Sequence, residues 1–178
     1  MMRAHAIAVA ALVLAGLAAG CASGPGAAGD AGYAVRNRYP KEDRTVAVNV
    51  FRNDTYDRAL NGQLTEAIIK EVQAMTPYRI ASEARADTLL RGTVRRRAVR
   101  ELSKSLSTGL TEEALYEVEI DWEWVDQRTG KVIVARNAFT ASALFVPSRP
   151  SAEPTEIGRF AVVQNLASDV VANMQATW

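Results

Sequence analysis

Arg91, Arg95, Arg96, Arg97, Arg100 and Lys104 crowd into one short stretch, the single basic concentration in this chain. A guanidinium holds phosphate or carboxylate oxygens through two parallel N–H bonds, so a row of arginines is chemistry for an anionic ligand. A second stretch carries Glu117, Glu119, Asp121 and Glu123 at alternating positions. If the two stretches are neighbouring antiparallel strands, Arg91, Arg95 and Arg97 share one face and meet those acids as cross-strand ion pairs. Each exposed pair of that kind contributes only ~0–1 kcal/mol. Both readings, ligand site and salt-bridge ladder, stand at this level. Arg96 is the exception. Strand alternation points it to the apolar side with Val94 and Ala98, where an unpaired charge is too costly. Either a β-bulge interrupts the strand there or the strand has run past the core. In both cases Arg96 and its neighbours sit at an accessible end, where an anionic ligand is expected.

The chain has one cysteine and one histidine. Cys21 closes an apolar leader, Leu17-Ala18-Ala19-Gly20-Cys21, preceded by a short positive region at Arg3. The run resembles the lipobox of bacterial lipoproteins, which are cut before the cysteine and acylated on it. Residues 1–20 are then a lipoprotein signal peptide. The apolar run falls short of the ~20 residues that span a bilayer as a helix. A lone acyl chain anchors only marginally, whereas the triacylated cysteine of a lipoprotein gives stable attachment. Ala22, where an Asp would favour retention at the inner membrane, points to the outer membrane. His5 leaves with the leader, so the mature domain can build no Ser-His-Asp triad, Cys-His dyad or His-ligated zinc site. No Gly-rich phosphate loop is present. No catalytic residue, metal site or cofactor is expected, and a binding or assembly role is the default.

Lys and Arg total 21 against 20 Asp and Glu, a balance that favours no nucleic-acid or other polyanionic partner. Residues 21–44 read as lipid anchor and flexible tether, with an Ala/Gly/Ser run from Ala22 to Gly32 whose typical reach is about 20 Å. Residues 45–178 read as one domain.

Within it, Thr45 to Phe51 alternates as a strand. Leu60, Leu64, Ala67, Ile68, Val72 and Met75 mark a helix that Pro77 ends, with Asp54, Thr55 or Asp57 as its cap. Tyr78-Arg79-Ile80 reads as a short strand and Ser82 to Ala86 as a turn. Thr88 to Arg100 is a long strand, followed by a polar loop from Lys104 to Thr111. Ala114 to Val125 is the most regular strand, with Tyr116, Val118, Ile120, Trp122 and Trp124 inward and the acids outward. Gln127-Arg128-Thr129-Gly130 turns the chain into a strand from Lys131 to Phe145. Pro147, Pro150 and Pro154 mark a loop. Phe160, Val163, Ala167, Val170 and Met174 then define a C-terminal amphipathic helix, with Trp178 at its end. The expected fold is α+β, with two helices packed on one face of a mostly antiparallel or mixed four-stranded sheet.

Four stretches together resemble a known family: Thr45-Val46-Ala47-Val48-Asn49-Val50-Phe51-Arg52-Asn53, the helix run from Leu64 to Glu71, Ala86-Asp87-Thr88-Leu89-Leu90-Arg91-Gly92-Thr93-Val94, and the hairpin run from Val125 to Val132. They occur in this order, behind a lipobox, in the lipopolysaccharide-assembly lipoproteins called LptE. The resemblance implies a non-enzymatic protein on the periplasmic face of the outer membrane. It would bind and plug an LptD-type β-barrel, assist its assembly, and bind lipopolysaccharide, whose phosphates the five arginines Arg91, Arg95, Arg96, Arg97 and Arg100 would contact. Family members often carry Gly-Tyr directly after the cysteine, whereas Gly32-Tyr33 comes about ten residues later here. A rival resemblance is to periplasmic lipoproteins of the CsgG or LpoB kind, which form a secretion pore or activate a cell-wall synthase. A pore former needs long membrane-spanning hairpins, and this chain's strands are used up by one sheet.

Overall fold

The computed structural model describes residues 45–147 and 152–174. Cys21, the tether, Pro150 and Trp178 lie outside them. The elements run β1 (Thr45–Val48), β2 (Arg52–Asn53), α1 (Leu60–Met75), β3 (Arg79–Ile80), a 3-10 turn (Glu83–Arg85), β4 (Thr88–Lys104), β5 (Thr111–Asp126), β6 (Val132–Phe145) and α2 (Thr155–Asn173). The class is α+β, as expected. Among the described residues the sheet has six strands rather than four, in the order β3-β1-β4-β5-β6 with β2 also on β4. The count rises because the first strand breaks after Val48 and resumes as β2, and because Arg79–Ile80 adds an edge. β1 pairs parallel with both β3 and β4, and β2 parallel with β4. The three long strands pair antiparallel, so the sheet is mixed.

Side-chain alternation decides which face is buried. On β5, Ala114, Tyr116, Val118, Ile120, Trp122 and Trp124 are all buried on the inner face. The helices cover that face: α1 lies against β1, β2 and β3, and α2 against β5 and β6. Leu60, Leu64, Ile68 and Val72 of α1 and Val162, Leu166, Val170 and Met174 at α2 complete the core. Each such side chain, fully buried, contributes about 1.5–3 kcal/mol. Phe160 departs from expectation: it is 65% exposed, because the buried stripe runs through Val162, Val163, Leu166 and Ala167 and leaves Phe160 on its rim. Met75, in the last turn of α1, is 64% exposed.

Close approaches need glycine at two positions. A Cβ on Gly92 would collide with the ring of the buried Phe51, and one on Gly158 would lie 2.7 Å from the ring of Phe145 and 3.1 Å from Tyr116 Cβ. Gly158 therefore lets α2 sit down on β5 beside Tyr116. The Ala86-Asp87 motif has a structural task. The Asp87 carboxylate accepts from the Thr45 amide (3.0 Å) and hydroxyl (2.6 Å), and the Asp87 amide donates to Thr45 Oγ1 (2.9 Å), clasping the start of β1 to the start of β4. No side chain of Asp54 or Thr55 caps α1, whose N-cap is Ala59. Asp57 Oδ1 instead takes the Ala59 amide at 3.2 Å.

The β4–β5 hairpin outruns the core. No residue of β4 after Val94 is buried. At and near its tip Leu102, Leu106 and Leu110 are exposed.

Candidate functional site

The register of β4 on β5 sets where each arginine goes. Pairing runs Val94↔Ile120 and then Arg96↔Glu119, so Arg95 is the extra residue of a β-bulge. Arg95 and Arg96 thus both lie on the outer face, and Arg96 meets acids instead of the core. The bulge also corrects the expected position of Arg97. It does not share a face with Arg91. Opposite Val118, it falls on the inner face, just where the core ends.

On the outer face the arginines form a neutralised ladder. Arg91 Nε donates to Glu123 at 2.6 Å. Arg95 Nε donates to Asp121 at 2.6 Å and its Nη1 to Asp54 at 3.0 Å. Arg96 pairs with Glu117 at 3.1 Å and Glu119 at 3.6 Å, and Arg100 shares Glu117 at 3.1 Å. Asp121 is the pivot of this ladder. Its other oxygen accepts the amide of Ala138 at 2.8 Å, at an irregularity of β6 where Ala138 takes a φ of 51°. That amide and Arg95 together hold the Asp121 carboxyl below its ordinary pKa.

Arg97 is different. It is the one of the five arginines with no carboxylate partner among the described residues. Its Nε donates to the Tyr116 hydroxyl at 3.1 Å, and its guanidinium carbon lies 5.3 Å from the centre of the Tyr116 ring. The Tyr116 hydroxyl in turn donates to Asp57 Oδ2 at 3.1 Å. Asp57 also accepts from Arg159 Nη1, at 3.2 Å to each oxygen. The Arg159 and Asp57 side chains are only 20% and 13% exposed. Burial pushes the Asp57 carboxyl up, but Arg159, the Ala59 amide and the Tyr116 hydroxyl outweigh it and hold it low. Burial raises the Tyr116 phenol, so it stays a neutral donor.

This network borders a cavity of ≈ 410 Å³ at the end of the core, lined among others by Arg95, Arg96, Arg97, Arg159, Asp54 and Asp57. Of the five arginines expected to act together, the structure brings three to this cavity. Arg91 lines a separate cleft of ≈ 430 Å³ on the outer face, with Arg52 and Arg95. Arg100 stays in the ladder. Arg159 and Tyr116 were not singled out as site residues from the sequence. Arg159 is the only basic residue of α2, and the one available signal was its place beside Gly158, where the helix packs closely on Tyr116 and Phe145. Among the described residues, no group of His, Cys, Asp and Glu is arranged to hold a metal ion. Nor is any helix long and apolar enough to cross a membrane, which says nothing about β-barrels.

Residues 44–176 match the model of the family described as LptE, lipopolysaccharide-assembly. No curated protein sequence matches the chain significantly. Among solved structures, a DUF330-family protein from Xanthomonas campestris aligns with a TM-score of 0.58 at 12% identity, covering 77% of this chain and 86% of its own. That likeness bears on the fold. The PelC dodecamer from Paraburkholderia phytofirmans aligns at a TM-score of 0.47 and 20% identity, covering 78% and 93%. A minor lipoprotein from Acinetobacter baumannii aligns at 0.45 and 16%, covering 77% and 97%.

Proposed function

The chain belongs to the LptE lipopolysaccharide-assembly family, and from that membership we propose that it is a non-catalytic lipoprotein of the outer membrane. In this reading residues 1–20 are removed and Cys21 carries the lipid. Residues 21–44 tether the domain of residues 45–178 to the periplasmic face. The domain binds and plugs an LptD-type β-barrel, assists its assembly, and handles lipopolysaccharide as it passes to the outer leaflet. The observation that carries the reading is the extent of the family match, from residue 44 to residue 176, through every described element.

Two features of the surface agree with it. The β4–β5 hairpin carries Leu102, Leu106 and Leu110 out beyond the core, where they stand exposed. Exposed apolar side chains grouped on a projecting element fit a partner surface rather than water. The cavity beside Arg97 offers guanidinium groups to an anion. Contact with lipopolysaccharide phosphates is accordingly assigned to Arg97, while Arg91, Arg95, Arg96 and Arg100 serve the ladder.

Gentle detergent extraction of the full-length chain, followed by affinity purification, tests the reading. A large outer-membrane β-barrel should co-purify, and mass spectrometry should find acyl chains on Cys21. Recovery of a penicillin-binding protein in place of a barrel would replace this reading with that of a cell-wall-synthase activator.

A further inference from the structure

We propose that Arg97 and Arg159 form a two-arginine clamp for a phosphate group, with Tyr116 and Asp57 as the positioning residues that hold it open. The proposal rests on the lipopolysaccharide reading for the source of the phosphate, but its geometry is independent of that reading.

Charge balance makes the argument. Every arginine of the outer ladder has a carboxylate within ion-pair distance. The inner network holds two guanidinium groups and one carboxylate, Asp57, and only Arg159 pairs with it. Of the four arginines lining the larger cavity, Arg95 and Arg96 are already matched by ladder acids and Arg159 by Asp57, which leaves Arg97 as the unmatched one. Glu156 lines only a smaller adjoining cavity and pairs with neither arginine. The guanidinium without a carboxylate, Arg97, is exposed to solvent, where a dissolved or lipid-borne anion can reach it.

Orientation supplies the second strand. Arg97 is fixed at Nε by the Tyr116 hydroxyl and stacked on the Tyr116 ring, so its two Nη groups are left to donate. Arg159 spends Nη1 on Asp57 and keeps Nη2 and Nε. Both side chains line the same cavities. A tetrahedral phosphate oxyanion takes paired N–H bonds from such forks, whereas a lone lysine would act only as a point charge. Tyr116 also explains why the clamp sits where it does. It is the last inward aromatic of β5 toward the hairpin tip, with its ring buried in the core and its side chain lining the smaller cavity.

The test uses the full-length chain in detergent and three probes: lipopolysaccharide, the same material after enzymatic dephosphorylation, and inorganic phosphate. Wild type should prefer the phosphorylated form. Arg97→Gln should lose about tenfold in affinity for it and bind the dephosphorylated form as wild type does. Tyr116→Phe keeps the ring and loses the hydroxyl. It should narrow the preference by about threefold with the domain still folded, a change that a purely structural role would not produce. Arg159→Gln should behave like Arg97→Gln, and if it unfolds, Arg97→Gln decides alone. Competition by inorganic phosphate would mean that the free ion suffices; a retained preference without competition would mean that the phosphate must be borne on lipid, and either supports the clamp. If wild type prefers the phosphorylated form and Arg97→Gln keeps that preference in full, the clamp is wrong while the function stands. If wild type binds neither lipopolysaccharide, both fall.

Discussion

The outer face of β4 and its inner end use the same residue type, on the same strand, for opposite ends. On the outer face Arg91, Arg95, Arg96 and Arg100 are matched to Glu123, Asp121, Glu119 and Glu117, and the charges cancel. At the inner end Arg159 takes Asp57, Arg97 has only the Tyr116 hydroxyl, and the charges do not cancel. The difference is made by one inserted residue. Without the bulge at Arg95, alternation would put Arg96 against the core. With it, Arg95 and Arg96 both face out and Arg97 becomes the inward residue, placed where the core has just ended. A β-bulge that re-aims a side chain beside a functional cavity is a recurrent device.

The two regions should respond very differently to mutation. Asp57→Ala leaves Arg159 without its carboxylate in a partly buried setting and strips the acceptor from Tyr116 and the Ala59 amide. A loss of about 3 kcal/mol is expected in urea unfolding. The same residue gives the inner network a pH signature. The Asp57 carboxyl is held below its unfolded value, so its contribution is complete above the ordinary carboxylate range near ~3.9 and is lost as the pH falls through the folded value. Asp57→Asn should therefore flatten the acid limb of the stability profile relative to wild type. An unchanged limb would mean that the network contributes nothing to folding.

Gly158→Ala comes next in size. Its methyl group would meet the Phe145 ring and Tyr116 Cβ, and lifting α2 to relieve the contact should cost about 1–3 kcal/mol. The smallest effect belongs to the ladder. Glu117→Gln removes the acid that Arg96 and Arg100 share, yet both guanidiniums are more than half exposed and water replaces the loss. Less than about 1 kcal/mol is expected, shrinking further in salt. A large loss there would erase the contrast between the two regions.

Much of this arrangement was legible in the sequence. The inward run of Tyr116, Val118, Ile120, Trp122 and Trp124 follows from period-two alternation, and the structure buries all five. The awkward position of Arg96 was legible as well, since alternation placed a charge where none could stay and a bulge was one of two ways out. The face of Arg97 was not, because the exact residue at which a strand bulges depends on its partner: Asp121 bonds both Arg95 and the amide of Ala138. Ala138 gives no local sign of its positive φ, which a glycine or asparagine would have announced. Arg159 was hidden for a different reason. Its carboxylate lies 102 positions earlier, and pairing at that distance comes from packing, not from pattern. The broken first strand was missed because Val48 and Val50 keep the alternation going, whereas after Asn49, whose amide still bonds Leu90, the Phe51 amide turns to Thr65 instead of β4.

The most direct measurement is a parallel titration of Arg91→Gln and Arg97→Gln against lipopolysaccharide, beside wild type. These substitutions remove one positive charge each from the same strand, so bulk electrostatics changes equally. The account predicts near wild-type affinity for Arg91→Gln and about a tenfold loss for Arg97→Gln. Equal losses for the two, or a loss confined to Arg91→Gln, would contradict it.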